Sequence, residues 1–217
     1  MHVKIMKSTA FLFCCFLSVL FTSNAQNFNE IVKAVATDRA VNDQYGVSVS
    51  VSGDYAIVGA FGEDEDSSGS NTETAAGSAY ILKYSAGTWS QHQKIVASDR
   101  KENDYFGFAV AISGDYAIIG AYADDEDSSG ANFIPNSGSA YIFKNCSGTW
   151  YQVQKIVATD RGLLDYFGRS VAINGDYAIV GCEYEDEDEA GADTKTSSGS
   201  AYVYKNCSGT WYQVEKV

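Results

Sequence analysis

One segment is written three times in this chain at a fixed interval. It reads YGVSVSVSGDYAIVGA from Tyr45 to Ala60, YFGFAVAISGDYAIIGA from Tyr105 to Ala121 and YFGRSVAINGDYAIVGC from Tyr166 to Cys182. Gly53, Gly114 and Gly175 are 61 residues apart, and Trp89, Trp150 and Trp211 keep the same interval. An internal period of this length belongs to arrays of one repeated supersecondary unit, so it decides the architecture before any single residue is considered.

Each copy reads as strand, tight turn, strand. The turns Ser52-Gly53-Asp54, Ser113-Gly114-Asp115 and Asn174-Gly175-Asp176 supply the positive-φ positions that short hairpins need. In the second repeat, four strands are expected at Gly107–Ser113, Tyr116–Ala121, Ser139–Lys144 and Thr149–Ala158. The first strand alternates bulk (Phe108, Val110, Ile112) with small residues (Ala109, Ala111), which suits close sheet stacking near an axis. β-Branched and aromatic residues are plentiful, and no helical apolar period occurs beyond the N-terminus. The chain is therefore expected to be all-β, with β-propeller blades: three four-stranded antiparallel repeats of 61 residues forming a partial ring. The expected divisions are 1–25, a signal peptide; 26–44, a strand equivalent to the outer strand of a blade; 45–98, blade 1; 99–159, blade 2; and 160–217, blade 3.

The N-terminus carries Lys4 and Lys7, then an apolar run from Ala10 to Phe21 that is too short to span a bilayer. Ser23-Asn24-Ala25 supplies a small-x-small cleavage site, so secretion with cleavage after Ala25 is expected. Phe13 precedes Cys14 where a lipid-anchor signal needs a small residue. The remaining chain has 13 basic and 28 acidic side chains, a net charge of −15. That excess argues against nucleic acid and anionic lipid as partners, and no later stretch is built for membrane insertion. Cys146, Cys182 and Cys207 are an odd number, and Cys146 and Cys207 sit on equivalent turns of successive repeats, so free thiols are expected.

The whole pattern resembles the FG-GAP repeat, the blade unit of the integrin α-chain propeller and of many secreted bacterial proteins. The resemblance rests on Phe106-Gly107 and Phe167-Gly168, with Tyr45-Gly46 as a variant. It rests also on Gly59-Ala60, Gly120-Ala121 and the variant Gly181-Cys182, and on the closing Gly-Ser-Ala-Tyr of 77–80, 138–141 and 199–202. It covers residues 27–217 and implies blades that serve adhesion, ligand binding or plain structural roles. Integrin-type blades often hold a calcium loop between their first two strands. Here that link is the short Gly-Asp turn, so the family's calcium position does not carry over.

An acidic cluster stands one link later: Asp64-Glu65-Asp66-Ser67-Ser68-Gly69, Asp125-Glu126-Asp127-Ser128-Ser129-Gly130 and Asp186-Glu187-Asp188-Glu189-Ala190-Gly191. Oxygens at positions 1, 3 and 5 before a Gly at 6 are what a Ca²⁺ turn offers. This nominates Asp64, Asp66, Ser68, Asp125, Asp127, Ser129, Asp186 and Asp188 as ligands for weakly held Ca²⁺. Position 12, a bidentate Glu in such turns, is Ala75, Asn136 or Ser197, so a solvated acidic loop is the competing and preferred reading.

Strand alternation puts these loops on the same face as the Asp-Arg turns that begin at Asp38, Asp99 and Asp160, which read as turn caps paired with the adjoining arginine. Loops on a rigid scaffold carry most binding, so that face is where recognition is expected. The tryptophans, equally placed in every repeat, read as packing between strands. No catalytic constellation is present, and His92 is the one histidine after the leader.

The expected function is a secreted, non-catalytic interaction module for adhesion or for an extracellular protein or glycan. The alternatives are the scaffold of a carbohydrate-active enzyme whose catalytic part lies outside these residues, and a weakly Ca²⁺-binding structural protein. Three blades fall short of the four to eight that close a propeller. Such an arc is expected to belong to a longer chain, the preferred reading, or to self-associate through its open faces.

Overall fold

The computed structural model describes Glu30, residues 32–188, Gly191 and residues 194–217. The leader expected at 1–25 lies outside them. Among the described residues there are twelve strands and no helix. The first sheet holds β1 (Val49–Ser52), β2 (Tyr55–Ala60), β3 (Ser78–Ser85) and β4 (Thr88–Ile95). The second holds β5 (Ala109–Ser113), β6 (Tyr116–Ala121), β7 (Ser139–Cys146) and β8 (Thr149–Ile156). The third holds β9 (Phe167–Asn174), β10 (Tyr177–Cys182), β11 (Ser200–Cys207) and β12 (Thr210–Lys216). Each sheet is an antiparallel meander in chain order, and the three do not close into a ring.

The two hairpins of each blade follow from their turn residues. Gly53, Gly114 and Gly175 take φ near 56° as the first residue of two-residue turns between paired strands. Ala86-Gly87, Ser147-Gly148 and Ser208-Gly209 take positive φ at both positions. That is the mirror-image turn whose twist matches a hairpin, and glycine carries the larger angle each time.

β1, β5 and β9 lie side by side as the inner strands. Between the first two sheets, Ile57, Ile81 and Ile95 meet Val110, Ile112, Ile119, Tyr141, Phe143 and Trp150 in one buried cluster. Between the second and third, Ile118, Ile142 and Ile156 meet Phe167, Val180, Tyr202, Tyr204 and Trp211. Each sheet thus presents an aliphatic face forward and an aromatic face backward, and stacking buries one against the other. Two of the tryptophans pack between sheets: Trp150 and Trp211 are fully buried, edge-on to Tyr55 and Tyr116 of the preceding sheet, whereas Trp89 is half-buried beside Tyr84 of its own sheet.

The approach of successive sheets is set by backbone. A Cβ on Gly59 would lie 1.9 Å from the Gly107 carbonyl oxygen, and one on Gly120 1.9 Å from that of Gly168. Only glycine admits such contact. Gln93 then clips the outer strands, donating to the Trp150 carbonyl (2.8 Å) and accepting from the Trp150 amide (2.9 Å). Gln154 does the same at Trp211. Residues 32–36 pair with no strand, yet Ala36 packs with Ala60 and Tyr80. The Thr37 amide donates to Gln91, as those of Ser98 and Thr159 donate to Gln152 and Gln213. Cys146, Cys182 and Cys207 are free thiols, Cys182 buried.

Candidate functional site

The links after β2, β6 and β10 and the links that lead into β1, β5 and β9 share one end of the blades, as strand alternation requires. Each begins on a buried ionic knot. In the second blade, Lys155 Nζ lies 2.8 Å from Asp99 and 2.7 Å from Asp124, and the Tyr141 hydroxyl donates to Asp124. In the first blade the set is Lys94, Asp38, Glu63 and Tyr80; in the third it is Lys216, Asp160, Glu185 and Tyr202. Burial works against the Lys155 charge, but Asp124 and Asp99 outweigh it and hold the ammonium above its ordinary pKa. Asp38, Asp99 and Asp160 therefore do not pair with the arginine beside them. They anchor the last strand of the blade they precede.

The arginines reach backward instead. Arg100 donates to the carbonyls of Asn71 (2.9 Å) and Asp64 (2.7 Å) in the previous blade's acidic loop. Arg161 donates to Asn132, Asp125 and Ser137 in the same manner. A third acid, buried, caps each entry turn: Asp104 accepts from the Lys101 amide at 2.7 Å, and Asp43 and Asp165 occupy the same place. Burial, then the nearby Asp124, pushes Asp104 up to about 8, and burial takes Asp165 to about 6.

Seven of the eight residues nominated for Ca²⁺ bond within their own loops. Asp64, Asp125 and Asp186 accept the amides of Ala75, Asn136 and Ser197, which are the residues at position 12. Asp66 accepts the amide and hydroxyl of Ser68 and the amide of Ser70; Asp127 does likewise with Ser129 and Ala131, and takes Asn132 as well. The serine hydroxyls thus act as donors. Those hydrogen bonds hold Asp66 down to about 2. Among the described residues, no group of three or more His, Cys, Asp or Glu side chains could hold a metal ion. Ca²⁺ takes six to eight oxygens, and the described loops bring no such group of carboxylates together.

The feature that composition and spacing did not single out is aromatic. Phe61 and Phe108 lie edge to face at 5.3 Å, and Phe108 meets Tyr122 at 4.7 Å. Tyr105 lies between Phe61 (5.6 Å) and Tyr122, on which it stacks at 5.3 Å. Tyr122 meets Tyr166 at 5.5 Å, and Tyr166 meets Tyr184 at 5.4 Å. The result is a ladder of rings running blade to blade along the inner rim of the loop face. Arg169 lies over Phe108 and Tyr122, 4.6 and 4.5 Å from the ring centres, and pairs with Glu183 at 3.2 Å. The rings are partly exposed, unlike the blade cores.

The backbone holds this ladder under tension. Tyr105 and Tyr166 have φ of 59° and 58°, a left-handed conformation that costs a residue with a side chain roughly 1–3 kcal/mol. Their amides donate to the preceding blade, Tyr105 to the Ala75 carbonyl and Tyr166 to that of Asn136, while Gln44 at the same phase takes φ 55° without such a bond. The signal was present in the sequence: Tyr105 and Tyr166 share one phase of the repeat, and Phe61 and Tyr122 another. Gln44 and Glu183 break those phases, which hides the pattern.

Compared with known families, residues 28–82, 89–143 and 150–204 each match the FG-GAP repeat. Among curated proteins, none matches the chain.

Proposed function

The chain belongs to the FG-GAP repeat family, its repeats form a β-propeller-like module, and from that premise we propose that it is a secreted, non-catalytic interaction module that binds an extracellular glycan through the loop face. The observation that carries this reading is the ring ladder from Phe61 to Tyr184. It is partly exposed and flanked by Arg169 and Glu183. Sugar rings stack their C–H faces on aromatic rings, and their hydroxyls bond to neighbouring charged groups.

The single histidine among the described residues, His92, faces the Gly148 carbonyl of the next blade at 2.6 Å, away from the ladder. The buried acids of this face, among them Asp99, Asp124 and Asp104, are tied to Lys155 or to backbone amides. Both facts support a non-catalytic module.

The test is a titration with a panel of neutral and acidic oligosaccharides, read by tyrosine fluorescence, on the native protein and on Tyr122→Ala and Arg169→Ala. Binding that weakens about tenfold in either variant is expected, the worth of one stacked aromatic contact. Binding unchanged in both, or no binding across the panel, overturns the reading.

A further inference from the structure

Where the second and third blades meet on the loop face, two neighbouring links are apolar at positions that are polar elsewhere in the chain. The acidic link of the second blade carries Phe133-Ile134-Pro135, where the other two copies have Thr72-Glu73-Thr74 and Thr194-Lys195-Thr196. The turn that enters the third blade carries Leu163-Leu164, where the turn into the second has Glu102-Asn103. We propose that this surface docks an extracellular protein segment that presents a lysine or arginine next to an aliphatic or aromatic side chain.

The two stretches lie against each other. Arg161 donates to the Asn132 carbonyl at 3.0 Å, and the Leu164 amide donates to the Pro135 carbonyl at 3.0 Å. Residues 132–135 and 161–164 thus run side by side, tied at both ends. Phe133 is 63% exposed, and Leu163 and Leu164 are 62% and 44% exposed. Their exposure does not come from an uncovered blade: Thr72, Glu102 and Asn103, at the same positions of the preceding copies, are exposed with the next blade in place. Adjoining apolar side chains held open among polar groups mark an interaction surface.

The charge beside them is the second observation. In the second blade Lys101 pairs with Glu126. The third blade keeps the acid as Glu187 and has Gly162 in place of the lysine. Among the described residues, no cation pairs with the half-buried Glu187. Its carboxylate lies back against its own loop, 3.4 Å from where a Cβ on Gly191 would stand. Glu65 does the same at Gly69, in the copy that has Ala40 in place of the lysine, whereas Gly130, beside the paired Glu126, has no such neighbour. The next residue changes in step: Lys101 is followed by Glu102, and Gly162 by Leu163. The copy without a cation of its own therefore sets an apolar side chain beside its unpaired acid. A cation from the partner takes the place at Glu187 that Lys101 takes at Glu126, and the partner's adjoining apolar side chain rests on Leu163 and Phe133. Charge complementarity of this kind selects among partners. The surface shares no residue with the ring ladder.

Selection from a library of random peptides displayed on phage, with the purified chain as bait, tests this. The enriched peptides are expected to place Lys or Arg next to Leu, Ile or Phe. Synthetic copies of them should bind at least about tenfold more weakly to Phe133→Ser and to Glu187→Gln, and Glu187→Lys should turn the preference toward Asp or Glu beside the apolar residue. The double variant Gly162→Lys/Leu163→Glu copies the Lys101-Glu102 turn that the second blade already folds, so it should melt like the native chain and lose the peptides. Tyr122→Ala should retain them, which separates this surface from the ladder. No enrichment over a blank support, enriched peptides without the basic-apolar pair, or binding that survives the double variant overturns the proposal. Binding lost equally in Tyr122→Ala overturns it too. Co-sedimentation with phosphatidylcholine vesicles that Phe133→Ser abolishes would assign the patch to a lipid surface and overturn it as well.

Discussion

Carboxylates three residues apart in one loop meet opposite fates in this protein. Asp124 is buried in contact with Lys155 and Tyr141, and Asp127 stands at the loop tip bonded to Ser129, Ala131 and Asn132. The same contrast holds between Glu63 and Asp66. The buried member ties the last strand of its blade to the loop face, through a partner far away in sequence. The exposed member shapes only its own turn. A high acid content therefore has two separate uses here, and the net charge of the chain describes neither.

The largest effect should come from breaking a buried knot. Lys155→Met leaves Asp99 and Asp124 facing each other without a cation, and a broken buried pair typically costs about 3–5 kcal/mol. The urea midpoint should fall accordingly. Replacing the whole set, with Asp99→Asn and Asp124→Asn added, should recover much of the loss, because the penalty lies in the stranded charges. A loss below about 1 kcal/mol for Lys155→Met would put the knot in the class of exposed ion pairs and erase the contrast.

A middle-sized effect belongs to Asp104, which is buried beside the same knot. Its folded pKa of about 8 lies above the ordinary carboxylate value of 3.8, so the folded state holds a proton that the unfolded chain has released. Stability is then expected to fall as pH rises from about 4 to about 8, in the direction linkage requires when the native state binds more protons. Asp104→Asn keeps an acceptor for the Lys101 amide and removes the charge. It should raise the melting temperature most at pH 8 and clearly less at pH 5. Melting curves of the two proteins at these pH values check this, and a wild-type melting temperature that climbs toward pH 8 would count against it.

The blades were legible in the sequence because every strand carries its own evidence: the Gly-Asp and Ser-Gly turns, the alternation of Phe108, Val110 and Ile112, and the fixed phase of Trp89, Trp150 and Trp211. β5 starts later than expected, at Ala109, whereas β9 begins at Phe167, before the equivalent glycine. The loop face was legible as a place, from strand alternation. Its wiring was not. Lys155 and Asp99 are 56 positions apart, and Arg161 reaches the Asp125 carbonyl across 36. Adjacency in sequence suggested Asp with Arg, whereas the blade-to-blade stacking sends the two in opposite directions. The ring ladder was missed for a related reason: its members come from two links of each repeat and become neighbours only once the blades stack.

The smallest effect should come from the exposed carboxylates. Asp127→Ala removes the acceptor for the Ser129 and Ala131 amides, but these donors are at the surface and water replaces the carboxylate. The melting temperature should drop only slightly, far less than for Lys155→Met. Millimolar Ca²⁺ should leave the native protein's melting temperature where it was, because Asp64, Asp125 and Asp186 already bond to the backbone at position 12 and the serines act as donors. A rise on adding Ca²⁺ that disappears in Asp127→Ala would reverse this. The loop tip would then trade its internal hydrogen bonds for an ion, and the exposed carboxylates would hold structure as the buried ones do.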